Sequence, residues 1–409
     1  MQPETRRVET HCCIAGGGPA GLMLGVLLAR AGIPVVVLEK HADFLRDFRG
    51  DTIHPSTLEI MWELGWLDEF LTLPHQKVER FSAQFGEHRL TMADFSSLPG
   101  HAKFIAMMPQ WDFLNFLGQK GRRYPGFRLL MEAEATDFLE GAGRIAGVAT
   151  TTPTGRLEVR TNLVVAADGR HSTLRHASGL PLQDYGAPMD VLWFRLPRQP
   201  TDTTETQGRL DTGRIFVMLN RGDYWQCAFV IPKGWNERIR AAGLGAFRAS
   251  LAPLLPFEAA RADAVQDWND VKLLAVQVNR LLTWWRPGFL AIGDAAHAMS
   301  PAGGVGVNLA VQDAVAAANI LAEPLRRGVV RDADLAAVQK RREFPVRMTQ
   351  RMQLAIQNSI IAPALSGATS SLKPPLALRL LTRVPILNRL PGRLMGLGVR
   401  PEHVETPEA

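Results

Sequence analysis

Four short runs of consecutive apolar residues, at 12–15, 34–38, 163–167 and 289–292, each stop at a glycine or an acidic residue. Runs of this length without a polar interruption predict strands buried on both faces. The stretch after the first run, from about 20 to 31, is apolar on nearly all sides and predicts a buried helix that ends at Gly32. A second helix is predicted from about 307 to 321. Elsewhere the pattern changes. Residues 81–95 and 191–231 carry alternating and aromatic runs such as VLWFRL, RIFVMLN and YWQCAFVIP, which predict an antiparallel sheet. The intervening PRQPTDTTETQGRLDTG is polar and rich in turn residues and reads as a solvated loop. The fold expected is therefore α/β. A discontinuous Rossmann-like domain comes from 1–74, 105–182 and 271–322. A second, α+β substrate domain with an antiparallel sheet comes from 75–104 and 183–270, and 323–409 forms a helical C-terminal region.

The polar residues that end the apolar runs carry the chemistry. Gly16, Gly18 and Gly21 form G-x-G-x-x-G between a strand and a helix. The first glycine permits a tight turn, the second lets backbone approach a pyrophosphate, and the third lets helix and strand pack closely. Glu39 closes the second strand, 18 positions after Gly21, where an acid accepts from an adenosine ribose hydroxyl. It would repel a 2′-phosphate, so the adenosine belongs to FAD or NAD rather than NADP. Lys40 follows as a second candidate on that side. Arg6 and Arg7 before an apolar run could suggest an export signal, but Pro19 and the glycines interrupt the run. The third strand runs into Asp168-Gly169, with Ser172 placed as a helix N-cap; an ordinary strand-to-helix turn would look the same. The fourth strand ends at Gly293-Asp294. A glycine-rich loop, 301–306, then leads into a helix. A carboxylate at Asp294 can accept from a ribityl chain. Free N–H groups at a helix start favour negative charge, such as a reduced flavin carries at N1 and the C2 carbonyl. A structural aspartate in a helix cap is the plainer alternative.

With these residues in this order, the chain resembles the single-component FAD-dependent aromatic monooxygenases, the group of p-hydroxybenzoate hydroxylase. The resemblance covers nearly the whole chain. It implies that Arg49, in RGDTIHPSTLE, faces the pyrophosphate and that Gln110, in MMPQWDFLNFL, begins a helix beside the FAD. It also implies that Pro301, Gly304, Gly306, Val307 and Asn308 lie near the isoalloxazine, with Pro301 among the catalytic residues. The reaction implied is flavin reduction by NADH or NADPH, then hydroxylation of a small aromatic or lipophilic molecule by dioxygen through a flavin C4a-hydroperoxide. The absence of a second dinucleotide fingerprint fits a nicotinamide that binds transiently. Asp51 and His54 are candidate bases, although turn and helix-start duties would account for both. The chain's three tyrosines, Tyr124, Tyr185 and Tyr224, match no catalytic tyrosine pair. Trp193, Phe216, Trp225 and Phe229 are candidate pocket walls.

Composition narrows the setting. The 409 residues suffice for two domains. Cys12, Cys13 and Cys227 lie in apolar runs, which points to free thiols in the cytoplasm, and no metal-ligand spacing is present. No uninterrupted apolar stretch has the length of a membrane-spanning helix. The net charge of +6 comes with no nucleic-acid motif, so an anionic cofactor and a basic tail are the preferred reading. In that tail Arg379, Arg383, Arg389, Arg393 and Arg400 space an apolar stretch that Pro385 and Pro391 are expected to break into short turns. A tail packed on the body is preferred over membrane-surface contact. Rival functions are a reductase of the same fold without oxygen insertion and a non-catalytic FAD- or NAD-sensing protein. A tryptophan-type halogenase lacks support because W-x-W-x-I-P is absent.

Overall fold

The four apolar runs lie side by side in one sheet. In the computed structural model, which describes residues 6–45, 52–85, 88–203, 205–211, 213–367 and 385–409, the strand order is Trp285–Arg286, Phe289–Ala291, Gly155–Ala166, Arg6–Ala15, Val35–Leu38, Phe127–Leu130. The last five are mutually parallel. Helix Pro19–Arg30 packs between helices Gln110–Gly121 and Gly306–Arg326. Gly155–Ala166 is longer than its apolar run because its first half pairs with Arg144–Thr152, itself paired with Glu134–Gly141. Its burial alternates there and becomes continuous from Leu163.

A second, seven-stranded sheet has the order Lys272–Leu274, Met189–Pro197, Tyr224–Pro232, Arg214–Asn220, Gln207–Asp211, Arg80–Phe85, His88–Asp94. It is antiparallel except where Gln207–Asp211 runs parallel to Arg80–Phe85. Gln207–Asp211 corrects the expectation of a loop: its polar residues sit in a strand because partners on both sides take up the backbone groups. Cross-strand register sets the two faces. Phe216, Trp225 and Phe229 share a core with Leu192, Phe194 and Phe247 of helix Leu244–Leu251. Trp193, opposite Ala228, lies on the other face with Val191, Ile215, Val217 and Val230. Of the four candidate pocket walls, Phe216, Trp225 and Phe229 therefore face away from Trp193 and are core. With a period of two, one position decides the face.

The C-terminal region also departs from expectation. Pro385–Gly396 is one helix, with Pro385 at its start and Pro391 inside it. An interior proline costs about 3 kcal/mol, so tertiary packing must hold the helix. A Cβ at Gly392 would lie 2.2 Å from the Asp94 carbonyl oxygen, which shows how closely helix and strand meet. Beyond it, the chain end runs back over the first sheet's helices. Arg30 donates to the Thr406 carbonyl at 2.7 Å, and the Ala409 N–H donates to the Arg30 carbonyl at 2.9 Å. Arg379 and Arg383 lie outside the described residues. Segment Ala302–Arg326 has the length and hydropathy of a membrane span, but 78% of its apolar window is buried inside the protein, as in a core helix.

Candidate functional site

Register brings the motif ends to one edge. Ala15 pairs with Leu38 and with Ala166, and Ala166 pairs with Ala291, so Gly16, Glu39, Ala167 and Ile292 follow the same rung. The carboxyl edge of an open parallel sheet is where such folds bind ligands. Gly16 has φ +108°, and a Cβ there would meet the Ala167 oxygen at 2.3 Å. A Cβ at Gly21 would lie 1.9 Å from the Gly16 oxygen, whereas one at Gly18 would meet no atom of the described residues within 4 Å. Gly18 starts helix Pro19–Arg30 without a side-chain cap or an acid in the first turn. The amides of that helix start therefore remain free for an anion.

Glu39 is nearly buried. One oxygen accepts from the Gly17 N–H at 3.0 Å, and the other meets His41 through its N–H at 3.0 Å and its Nδ1 at 2.6 Å. Lys40 is exposed beside it. Asp168 accepts from the Ser172 hydroxyl and, at 3.3 Å, from the Leu174 N–H. Burial pushes its carboxyl above the usual range against those hydrogen bonds. Ser172 caps helix Thr173–Ser178 as expected. Asp294 is met by the Arg170 guanidinium at 3.2 Å, and Arg175 donates to the carbonyls of Asp294, Ala295 and Arg170 at 3.3, 3.2 and 2.6 Å. Arg170 and Arg175 thus tie the two aspartate turns together. The sequence reading passed over both, although they stand within DGRHSTLR.

Behind Gly293 is a buried ionic chain. Asp313 accepts from the Gly293 N–H at 3.0 Å, meets His297 Nε2 at 2.6 Å and accepts from Arg342 Nε at 2.9 Å. Arg342 also donates to Glu402 at 3.0 Å, and Arg341 meets the same carboxylate at 2.8 Å. Burial pushes Asp313 up, but His297 and Arg342 outweigh it and hold its carboxyl below the usual range.

The glycine-rich loop is held from two sides. Gln350, Gln353 and Gln357 share one buried face of helix Asp332–Ile356 and its continuation. Gln350 donates to the Ala298 carbonyl at 3.2 Å and Gln353 to those of Ser300 and Ala302 at 2.9 and 3.0 Å. Gln357 donates to the Ser300 hydroxyl at 2.8 Å. Pro301 lies within this clamped segment. On the other side Asn308 accepts from the His54 N–H at 2.9 Å and the Thr57 hydroxyl at 2.7 Å, and donates to the Thr52 carbonyl at 3.2 Å. Thr52 donates to the Gly304 carbonyl at 2.9 Å. Helix Gly306–Arg326 starts without a side-chain cap or an acid in its first turn, Val307 is buried, and a Cβ at Gly306 would meet nothing described within 4 Å. Gln110 is the first residue of helix Gln110–Gly121 and is half-buried. Arg49 and Asp51 lie outside the described residues. A groove of about 580 Å³ lined by Trp285, Gln339, Phe344 and Arg351 contains none of these residues.

His54 is fully buried, at the start of helix Pro55–Glu63 as the helix-start alternative has it. Its Nδ1 meets the Met395 carbonyl at 2.7 Å, and its Nε2 has no partner among the described residues. Burial lowers its pKa from 6.5 to about 4 despite that hydrogen bond. Below pH 6.5 the unfolded chain binds a proton here that the folded protein refuses until about pH 4. The contribution is complete above the unfolded value and is lost as pH falls, by about 3 kcal/mol at pH 4. Urea unfolding between pH 7 and about pH 4.5 should show this slope in the parent and a shallower one in His54→Gln. Equal slopes would show that His54 is not held neutral.

These features fit FAD: two uncapped helix starts, open space over Gly18 and Gly306, a ribose-side acid at Glu39, and a carboxylate at Asp294. Residues 9–352 match the family described as "FAD binding domain". The chain is 30% identical, over all of its length and 98% of the relative's, to 6-methylpretetramide 4-monooxygenase from Streptomyces rimosus. The fold matches OxyS anhydrotetracycline hydroxylase from Streptomyces rimosus with a TM-score of 0.75 at 23% identity, covering 96% of this chain and 77% of that one. It matches PqsL from Pseudomonas aeruginosa with a TM-score of 0.73 at 22% identity, covering 88% and 99%. The chain belongs to this FAD-binding-domain family and is an FAD-dependent monooxygenase of the aromatic hydroxylase type, with NAD(P)H as co-substrate.

Proposed function

We propose that this enzyme hydroxylates a polycyclic phenol or quinone-like molecule with NADH or NADPH and dioxygen. The observation that carries the reading is the end-to-end match to a relative named for a pretetramide monooxygenase. The second sheet supports it in part: Val191, Ile215, Ala228 and Val230 are buried with Ile361, Ala364 and Leu365, while the partly buried Trp193 and Val217 leave an apolar edge of that face for a ring system. FAD, when bound, supplies the activation of oxygen. The chain's own residues bind and orient it. Gly16, Gly18 and Gly21 take the pyrophosphate end, Glu39 and Lys40 the adenosine side, with Arg49 and Gln110 alongside. Asp294 takes the ribityl chain, and Asp168 holds the adjoining turn. Pro301, Gly304, Gly306, Val307 and Asn308 serve the ring. Asp51 and His54 are the candidate bases; burial brings His54 down to about 4, the range of an ordinary carboxyl, so basicity favours neither. Three free, buried cysteines support a cytoplasmic setting, and the docking of residues 397–409 supports a packed tail over membrane-surface contact. No nucleic-acid partner is proposed.

The protein should purify yellow with non-covalent FAD. Under labelled dioxygen, a panel of polycyclic phenols and quinones should stimulate NAD(P)H oxidation and yield a product carrying one labelled oxygen. Stimulated oxidation with only unlabelled product and peroxide would favour the reductase alternative. A colourless protein that takes up no FAD would remove the reading altogether.

A further inference from the structure

We infer that the C-terminal helix Pro385–Gly396 forms a wall of the flavin chamber and that Met395 sets the size of the ring system admitted. This rests on the placement of the glycine-rich loop beside the flavin ring, proposed above. Met395 is in reach of both sides of that chamber. A Cβ at Gly303 would lie 3.6 Å from the Met395 Cε. The Met395 side chain also packs on the cluster that holds Leu219 and the partly buried Trp193 and Val217 of the second sheet. Its carbonyl accepts from His54, whose own N–H is bound by Asn308 at the start of the helix behind the loop. One residue of the C-terminal helix thus lies beside the loop, packs on the cluster to which Leu219, Trp193 and Val217 also contribute, and holds His54 through its carbonyl.

The next residue holds it there. A Cβ at Gly396 would lie 2.7 Å from Leu98, 3.2 Å from Phe95 and 3.3 Å from Pro55, so the backbone of the helix end is pressed against the body. Met395 itself is only half-buried, as a side chain lining a chamber would be. Methionine suits the position because it is unbranched, has three rotatable bonds and adapts to apolar surfaces. The indole N–H of Trp193 is buried with no acceptor among the described residues. Nothing in the local sequence around Met395 marks it for this duty; only the return of the chain end to residues 54 and 303 does.

The test uses the full-length, FAD-loaded protein and three substitutions of Met395. Met395→Ala should open the flavin to iodide, raising the quenching constant of its emission, and Met395→Phe should lower it. Met395→Leu conserves volume and should behave as the parent. The half-exposed Leu390, 49% accessible on the same helix, supplies the control Leu390→Ala, which should leave quenching unchanged. Absorbance titration with 2-naphthol and 1-hydroxyanthraquinone should show Met395→Ala shifting preference toward the three-ring probe by about tenfold and Met395→Phe shifting it the other way. Normal FAD loading with the parent's quenching constant in both Met395→Ala and Met395→Phe would overturn the inference while leaving the flavin reading intact. Failure of the parent to load FAD would overturn both.

Discussion

Arg342→Ala is expected to destabilise the protein by about 3–5 kcal/mol, the usual cost of removing one partner from a buried ion pair. Arg342 and Asp313 are 1% and 0% exposed, so the carboxylate left behind has no water to compensate it. His297 would remain at 2.6 Å, but the second oxygen would lose its donor. The effect should reach the cofactor, because the same carboxylate holds the Gly293 N–H at 3.0 Å in a turn with φ +58° that aims Asp294. FAD affinity should therefore fall along with stability. The double variant Asp313→Leu/Arg342→Met removes both charges and should recover part of the stability but not the FAD affinity. Denaturant unfolding of each variant, paired with FAD titration, measures both. A loss under about 1 kcal/mol in Arg342→Ala would mean the pair is no more than a screened surface contact. Asp313 also sets a pH response. Its folded pKa lies below the ordinary carboxylate value, so its contribution is present at neutral pH and is lost as pH falls through that lowered value.

The glycines of the fingerprint should separate binding from folding. Gly18→Val is expected to weaken FAD about 100-fold, roughly 3 kcal/mol, while apo stability moves by less than about 0.5 kcal/mol. The reason is local. Gly18 has φ −78° and ψ −175°, extended backbone open to any residue, and a Cβ there meets no described atom within 4 Å. What a valine would displace is the ligand, at the point where the free amides of the helix start should meet a pyrophosphate. Gly306→Val shares that open setting and should weaken FAD in the same selective way. Gly21→Val should differ, because its side chain would start 1.9 Å from the Gly16 oxygen and must push helix from strand. It should lose stability and FAD together. Thermal unfolding of the apo proteins and fluorescence titration with FAD distinguish the cases. Parent-like FAD affinity in Gly18→Val would mean that the pyrophosphate does not cross this turn.

How a site of this kind is written into a chain can be judged from particular residues. The strands around Ile14, Val37, Val165 and Leu290 were legible because a strand buried on both faces has no polar position, and their ends were legible because glycine and acid break the run. Gly16, Gly18 and Gly21 were legible because a tight turn, an open approach and a close packing contact each exclude a side chain for a local reason. Asp313, Arg342 and Glu402 were not. Each is an ordinary charged residue in its own helix or tail, and their meaning arises only when segments 29 and 60 positions apart converge. The glutamines at 350, 353 and 357 could have been read as a polar face, but not as the clamp on residues 298–302.

By itself, then, the sequence determined the flavin chemistry, through a family resemblance, and the buried strands with the glycines and acids that end them. The latter depend on backbone geometry and periodicity within about twenty residues. Only the tertiary structure decided which face of the second sheet carries Trp193 rather than Phe216, Trp225 and Phe229, since alternation fixes parity but not which parity is inward. It likewise decided that Pro391 sits within a helix and that Met395 meets His54, 341 positions away, because packing outweighs local propensity and long-range contacts leave no local pattern to read.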